Sequence, residues 1–228
     1  MEKSTELNKS VLKILVLFPL AFVVIGLMLF LPAGSLNYWQ GWLYMLTLFV
    51  PVIFTANYLI KKDPELLRRR MQFKEKEAKQ KFIVKLSGIL FLIGFLLPGF
   101  DYRFGWSQVP FWLVIASDLL VLLSYFFVFL VFKENSYTSR IVEVEKGQKV
   151  IATGPYSIMR HPMYFGVIVM YLFTPLALGS YFALIFFLPT IPILAYRALD
   201  EERVLLKELK GYKEYTKKVK YRLVPGIW

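Results

Sequence analysis

Six long apolar runs constrain what this chain can fold into more than any other feature of its sequence. A helix needs about 20 apolar residues to cross the hydrocarbon core of a bilayer, and several of the runs approach that length. A soluble fold of 228 residues would not use so many, so we predict an all-α integral membrane protein whose residues 1–228 form one domain. The runs cover residues 14–31, 41–60, 83–100, 109–132, 163–179 and 181–196.

The basic residues are segregated among the segments that flank and join these runs. Of 28 Lys and Arg residues, 3 lie in residues 1–13, 10 in 61–85, 5 in 133–162 and 9 in 197–228, and only Arg103 lies in a loop of the other set. This is the positive-inside pattern of multi-pass membrane proteins. It predicts cytoplasmic termini, an even number of crossings and about six membrane helices. This placement also indicates that the net charge of +12 orients the helices in the membrane and attracts membrane lipids, and that it does not bind nucleic acid.

The last two runs differ from the first four. Residues 163–196 are too long for one crossing and short for two, and they contain Pro175, Pro189 and Pro192. We predict a tight hairpin of two short helices, because interrupted helices tend to occur where a cavity rather than lipid meets the backbone. The cytoplasmic segment that follows is predicted to be an amphipathic helix. Its apolar stripe consists of Leu205, Leu209, Tyr212, Tyr215 and Val219.

Composition excludes several kinds of site. The chain has no cysteine and one histidine, so we expect no disulfide, no thiolate zinc site and no His-rich metal site. It contains neither the glycine-rich fingerprint of a Rossmann fold nor a P-loop, so a nucleotide-like cofactor would have to be held in another way. The first run is long for the apolar part of a signal peptide, and we predict a retained first helix.

The single histidine lies in the stretch GPYSIMRHPMYFG. Pro162 suits the first turn of a helix, which places Arg160 and His161 at a helix start, where free backbone N–H groups and the helix dipole attract anions. The aromatic faces of Tyr156 and Tyr164 can meet a cation. One small region could therefore hold a carboxylate and a positively charged centre together.

Two further charged positions are notable. Arg197 and Glu201 are four residues apart and share a helix face, and Glu201 lies on the apolar stripe that continues to Leu205. The pair forms either a surface salt bridge or part of a site, since a carboxylate on an apolar face needs a partner. Asp118 lies inside the fourth run, where a carboxylate is costly. It is either a functional residue or makes a hydrogen bond between helices.

Four motifs in the second half of the chain together resemble one family. They are GPYSIMRHPMYFG, the pattern R-x-x-x-E-E-x-x-L that begins at Arg197, the pattern Y-x-x-Y that begins at Tyr212, and a final YRLVPGIW. Over residues 133–228 the chain resembles the isoprenylcysteine carboxyl methyltransferase family. It is also similar to the wider group of small membrane methyltransferases that includes phospholipid N-methyltransferases. The resemblance hardly extends to residues 1–132.

The resemblance implies an S-adenosylmethionine-dependent methyltransferase. Its cofactor would lie in a cytoplasmic pocket capped by the C-terminal segment, and a tunnel would admit a lipid-like acceptor, such as an isoprenylcysteine, from the bilayer. Arg197 and Glu201 would be the catalytic residues, with Arg197 holding the acceptor's carboxylate. Together with the helix-start argument, the resemblance predicts cofactor contacts at Gln148, Lys149, Val150, Ile151, Tyr156, Arg160, His161, Pro162, Met163, Tyr164, Glu201 and Glu202.

Alternatives to this function stay open at the level of the sequence. The approach segment reads QKVI rather than the His-x-Leu-Val of eukaryotic members of the family, and the hairpin turn reads LALGSY without their asparagine-proline pair. The acceptor could therefore be a phospholipid amine. Membrane sterol reductases, which use NADPH, resemble the same half of the chain, although Pro162 directly after His161 favours a methyltransferase. A non-catalytic protein whose charged loops bind a partner or anionic lipid is the remaining alternative.

Overall fold

The computed structural model describes residues 2–71, 78–139, 144–145 and 147–228, with side chains from residue 11 onward except those of 78–81. Within these ranges the backbone is mainly helical and contains no β-strand, which confirms the predicted all-helical class. A 3₁₀ turn at Gly154–Ser157 precedes the sixth helix. The helices in chain order are α1 (Glu2–Ala33), α2 (Trp39–Lys62), α3 (Pro64–Arg70), α4 (Ala78–Phe104), α5 (Phe111–Glu134), α6 (Pro162–Ala177), α7 (Leu184–Phe187), α8 (Thr190–Glu208) and α9 (Tyr212–Lys218).

Four of these helices are long and apolar enough to cross a membrane. Their spans contain 23 or 24 residues each, and a helix of that length extends about 35 Å, more than the roughly 30 Å of the hydrocarbon core. Many large apolar side chains on α1, α2, α4 and α5 are exposed, as lipid-facing surfaces require. The candidate spans are Val11–Ala33, Trp39–Lys62, Phe82–Phe104 and Phe111–Glu134.

The last two apolar runs form shorter elements. Helix α6 has 16 residues, so it extends only about 24 Å at 1.5 Å per residue. The chain then turns, passes through the four-residue α7, and returns as α8, which packs on α6. Helix α6 is short, whereas α8 has 19 residues and continues to Glu208. The hairpin of two short helices and the count of six crossings stay predictions.

Close packing of α6 on α5 fixes the position of the candidate site. Gly166 of α6 lies against α5, and a Cβ atom on it would come within 2.7 Å of Cγ2 of Val128. Small residues allow helix backbones in membranes to approach closely. A hydrogen bond between the hydroxyls of Tyr44 and Thr174, 2.9 Å apart, joins α2 to the other end of α6. The start of α6 is therefore held firmly next to the end of α5. The predicted division of the domain into an N-terminal part, residues 1–132, and a catalytic part, residues 133–228, remains a prediction.

The predicted C-terminal amphipathic helix is interrupted. Helix α8 ends at Glu208, Gly211 has φ 88° in the left-handed region that favours glycine, and α9 begins at Tyr212. The interruption directs the apolar stripe toward protein. Four stripe residues are buried, and they pack with Val144, Val150 and Leu205 in one cluster: Leu209, Tyr212, Tyr215 and Val219.

The segment after α9 docks beside the start of α6. The carbonyl of Tyr221 accepts a hydrogen bond from the N–H of Arg160 at 3.0 Å, and the carbonyl of Arg222 accepts one from the N–H of His161 at 2.9 Å. The hydroxyl of Tyr215 donates to the carbonyl of Tyr156 at 2.7 Å. The C-terminal segment thus closes over the region that contains the single histidine.

Candidate functional site

A polar cavity of about 80 Å³ lies at the start of α6, between the segment that follows α5 and the C-terminal segment. All but one of the residues predicted to bind the cofactor or the acceptor line it. The lining includes Gln148, Lys149, Val150, Ile151, Tyr156, Arg160, His161, Pro162, Met163, Tyr164, Arg197 and Glu201.

The predicted site lacked two groups of lining residues. One group directly follows α5, where the sequence changes from apolar to polar, and that change is the only signal for it. The other group belongs to the apolar stripe of the C-terminal segment, whose Y-x-x-Y pattern carried the family resemblance but was given no role in binding. The additional lining residues are Asn135, Tyr137, Thr138, Ser139, Leu205, Leu209, Tyr212 and Tyr215.

Glu202, predicted as a cofactor contact, does not line the cavity but lies behind it. Its side chain is buried, with a relative exposure of 4% for the residue. Oε1 lies 2.9 Å from Nε of Arg160 and 3.5 Å from Nε2 of His161, and Oε2 accepts a hydrogen bond from Nε of Arg222 at 2.9 Å. The carboxylate therefore joins the two residues before α6 to the C-terminal segment.

Opposing effects act on the charge of Glu202. Burial would raise the pKa of this carboxyl, but the hydrogen bonds from His161 and Arg222, together with the charge of Arg160, bring the pKa below its usual value of 4.5. Glu202 is therefore ionised at neutral pH and compensates the buried charge of Arg160.

The backbone N–H groups around the start of α6 are of two kinds, bonded ones before the helix and those of its first turn. Those of Arg160 and His161 are bonded to carbonyls of the C-terminal segment. The helix still begins with Pro162 at its first position, and the N–H groups of Met163 and Tyr164 lie in the first turn, where no intrahelical acceptor is available. An anion could be bound there, next to the Arg160 guanidinium.

The hydroxyl of Tyr164 links the two residues predicted to be catalytic. It donates a hydrogen bond to Oε2 of Glu201 at 2.7 Å, and it accepts one from Nε of Arg197 at 3.3 Å. The ring of Tyr164 stacks on that of His161, with centroids 5.7 Å apart and an interplanar angle of 22°. Helices α6 and α8 thus present a cation, a carboxylate and two aromatic rings at one place.

Further tyrosine side chains surround the polar cavity. Burial raises the pKa of Tyr156 to about 12 and raises the pKa values of Tyr212 and Tyr215 as well. All three are neutral at physiological pH, so they offer aromatic faces to a cation. The buried hydroxyl of Tyr212 has no hydrogen-bond partner among the residues that the structure describes, which leaves a donor for a polar ligand.

A second, larger cavity of about 490 Å³ lies beside the first, between α4, α5, α6, α7 and α8. Its walls are mainly apolar. It shares Ser139, Met163, Tyr164 and Arg197 with the polar cavity, so the two cavities meet at the first turn of α6. Its other lining residues are Arg70, Ile83, Val84, Ser87, Gly88, Leu90, Phe91, Val128, Val167, Tyr171, Phe186, Phe187, Thr190, Ile193 and Leu194.

Asp118, singled out from the sequence, lines neither cavity. It is buried in α5 beside Ser117. Its place outside both cavities separates it from the candidate site.

Comparison with known proteins links this site to membrane enzymes. A family model described as phospholipid methyltransferase matches residues 112–211, which extend from α5 to the turn before α9. The resemblance to membrane methyltransferases is thereby confirmed at the level of this broad group, and the matched residues carry a domain of the phospholipid methyltransferase type. The match does not identify the isoprenylcysteine family.

Two curated relatives are sterol reductases. The chain is 31% identical over 87 residues to Delta(14)-sterol reductase TM7SF2 of Mus musculus, which is 36% of this chain and 20% of that protein. It is 32% identical over 95 residues to a Delta(14)-sterol reductase of Methylotuvimicrobium alcaliphilum, which is 40% of this chain and 22% of that protein. The chain thus spans about a fifth of the length of these relatives.

Proposed function

We propose that this protein is an S-adenosylmethionine-dependent membrane methyltransferase that methylates the carboxylate of a lipid-like acceptor, such as an isoprenylcysteine. The meeting of the two cavities at Met163, Tyr164 and Arg197 carries the proposal. A polar ligand in the first cavity and an amphiphile in the second would be in contact at the start of α6. The match of residues 112–211 to phospholipid methyltransferases supports the same type of reaction.

The residues of the polar cavity fit the chemical groups of S-adenosylmethionine. When bound, this cofactor supplies an activated methyl group on a sulfonium. Arg160, His161 and the first turn of α6 would hold its carboxylate, Glu201 its amine or ribose hydroxyls, and the tyrosine rings its positive sulfur. The hydroxyl of Tyr212, which has no hydrogen-bond partner within the described part of the chain, is a further donor.

The polar cavity must widen to hold this ligand. Its volume of about 80 Å³ is well below the roughly 300–1,000 Å³ of ordinary ligand pockets. We expect the C-terminal segment to move outward, because the tyrosine side chains of α9 form one wall of the cavity and Tyr215 contacts the backbone of Tyr156.

Arg197 would orient the acceptor where the cavities meet. A carboxylate is already ionised at neutral pH and needs no base, so positioning and exclusion of water can supply much of the rate. A guanidinium binds a carboxylate through two parallel hydrogen bonds. The largely apolar walls of the second cavity would hold the acceptor's tail and exclude water.

Two other reactions are supported by the comparisons. Methylation of a phospholipid amine would require removal of a proton, and Glu201 or His161 would be the candidate bases. Reduction of a sterol-like lipid by NADPH would use the same two cavities, and the matches to Delta(14)-sterol reductases favour it over a role without catalysis. We further propose that the polar cavity and both termini are cytoplasmic, because 27 of the 28 Lys and Arg residues lie in the segments assigned to that side.

Calorimetric titration of the detergent-purified protein distinguishes the two cofactors. We expect S-adenosylhomocysteine to bind with saturable heat and NADPH to give none. Saturable binding of NADPH without binding of S-adenosylhomocysteine would contradict the proposal and indicate a reductase. Failure of both ligands to bind would contradict an enzyme of either type.

A further inference from the structure

The apolar cavity carries a second cation, supplied by a helix outside the segment that matches the family model. Helix α3 starts where the Asp63 side chain accepts a hydrogen bond from the N–H of Leu66 at 3.0 Å, with Pro64 at its first position. The last turn of α3 lies against the segment after α5, where Arg69 donates a hydrogen bond to the carbonyl of Ser136 at 2.7 Å. Arg70, the last residue of α3, lines the apolar cavity.

The surroundings of Arg70 place its guanidinium at the junction of the two cavities. Nη1 lies 3.5 Å from the carbonyl of Ser139 and 3.5 Å from Sδ of Met163. The guanidinium carbon is 5.0 Å from the centroid of the Phe132 ring, at cation–π distance. Ser139 and Met163 belong to both cavities, so Arg70 reaches the place where the proposed acceptor would meet the cofactor.

Arg70 and Arg197 contact consecutive residues of the first turn of α6. Arg70 lies against Met163, and Arg197 donates to the hydroxyl of Tyr164. Among the described residues that line the apolar cavity, these two carry positive charge and none is acidic. In a cavity with largely apolar walls, charge interactions are screened less than in water. The cavity therefore favours an amphiphile with an anionic head and disfavours one with a cationic head.

We propose that Arg70 determines acceptor specificity by binding the carboxylate head of the lipid-like acceptor together with Arg197. The head lies between α3 and α8 at the first turn of α6, and the apolar tail extends among α4, α6 and α7. The inference rests on the proposed function for the statement that the bound amphiphile is the methyl acceptor. The preference for an anionic head depends only on the residues of the cavity. A guanidinium supplies directional paired donors that a lysine does not reproduce.

Matched amphiphiles test this preference without any turnover. Dodecanoate, dodecanamide and dodecyl phosphate share one tail and differ in the head group. Their affinities are measured by calorimetry on the full chain in nanodiscs of zwitterionic lipid at neutral pH, with S-adenosylhomocysteine titrated in parallel. The variants are Arg70→Met and Arg70→Lys, and Arg68→Met is the control because Arg68 lies on the same helix, is partly exposed and pairs with Glu65.

We expect wild-type protein to bind dodecanoate more tightly than dodecanamide. Arg70→Met should weaken dodecanoate binding about ten- to hundredfold, as for loss of a hydrogen bond to a charged group, without changing the affinity for dodecanamide. Arg70→Lys should recover only part of the loss, and Arg68→Met should bind as wild type does. Unchanged affinity of all variants for S-adenosylhomocysteine would show that the site remains folded.

Three results would overturn the inference. They are equal affinity of the wild type for dodecanoate and dodecanamide, unchanged dodecanoate affinity in Arg70→Met, and tighter binding of dodecyl phosphate than of dodecanoate by the wild type. Loss of S-adenosylhomocysteine binding in Arg70→Met would also overturn it, because Arg70 would then support the polar cavity. If wild-type protein binds dodecanoate selectively but not S-adenosylhomocysteine, the proposed function fails while the assignment of Arg70 stands.

Discussion

The polar and the apolar cavity share one helix turn but are held together by different forces. The polar cavity is enclosed by segments far apart in sequence, which are joined by ion pairs of Glu202 with Arg160 and Arg222 and by backbone hydrogen bonds to the C-terminal segment. The apolar cavity is enclosed mainly by helices that pack through side-chain shape. Single changes of charge should therefore disrupt the polar cavity, whereas the apolar cavity should tolerate substitutions that conserve volume.

The largest effect is expected from Glu202→Gln. Removal of one partner of a buried ion pair leaves an uncompensated charge and costs about 3–5 kcal/mol, here at Arg160. We expect the free energy of unfolding, measured by denaturant titration in mixed micelles, to fall by about that amount and S-adenosylhomocysteine binding to be lost.

The matched control for this charge change is Ile83→Leu in the wall of the apolar cavity. This volume-conserving substitution should change the free energy of unfolding by less than about 1.5 kcal/mol and leave S-adenosylhomocysteine affinity as it is. A smaller loss of stability in Glu202→Gln than in Ile83→Leu would contradict the difference between the cavities.

The next effect concerns ligand binding rather than stability. Glu201→Gln and His161→Ala should each weaken S-adenosylhomocysteine binding by about 1.5–3 kcal/mol, the value for a lost hydrogen bond to a charged group. Glu208→Gln provides the control, because Glu208 is an exposed residue of the same helix outside the polar cavity. If calorimetry finds wild-type affinity in both variants, the cofactor does not bind in the polar cavity.

The smallest effect is expected at the contact between α5 and α6, the helices that lie next to both cavities. Gly166→Ala should destabilise the protein by about 1–3 kcal/mol, a typical value for overpacking, because its Cβ would lie 2.7 Å from Val128. A Cβ on Gly88 of α4 would meet no atom of the described residues within 4 Å, so Gly88→Ala should be neutral or slightly stabilising in thermal unfolding. Equal stabilities of the two variants would argue against the close contact of α5 with α6.

The parts of this molecule that could be predicted from the sequence follow from local physics. The long helices are indicated by apolar length, because the bilayer requires each crossing helix to be apolar over its whole span. Arg160, His161, Arg197 and Glu201 were located by helix-start chemistry, helical spacing and family resemblance. All four line the polar cavity, and their roles remain proposals.

The rest could not be predicted because it depends on contacts distant in sequence. Glu202 lies 42 residues from Arg160, and no periodicity indicates that they pair. Glu202 was predicted to contact the cofactor, but its side chain lies behind the cavity, against Arg160 and His161 of the lining. The break before α9 was missed because Gly211 ends an otherwise helical stripe, and the stripe packs on a loop instead of the membrane surface.

Transfer of a labelled methyl group tests the central claim most directly. Purified protein is incubated with S-adenosylmethionine labelled in its methyl group and an S-farnesylated cysteine whose carboxylate is free. We predict label in the lipid fraction that alkali releases as methanol, as expected for an ester, and loss of most turnover in Arg197→Lys with S-adenosylhomocysteine affinity retained. A product whose label resists alkali, as an N-methylated amine would, or loss of cofactor affinity in Arg197→Lys would contradict the account.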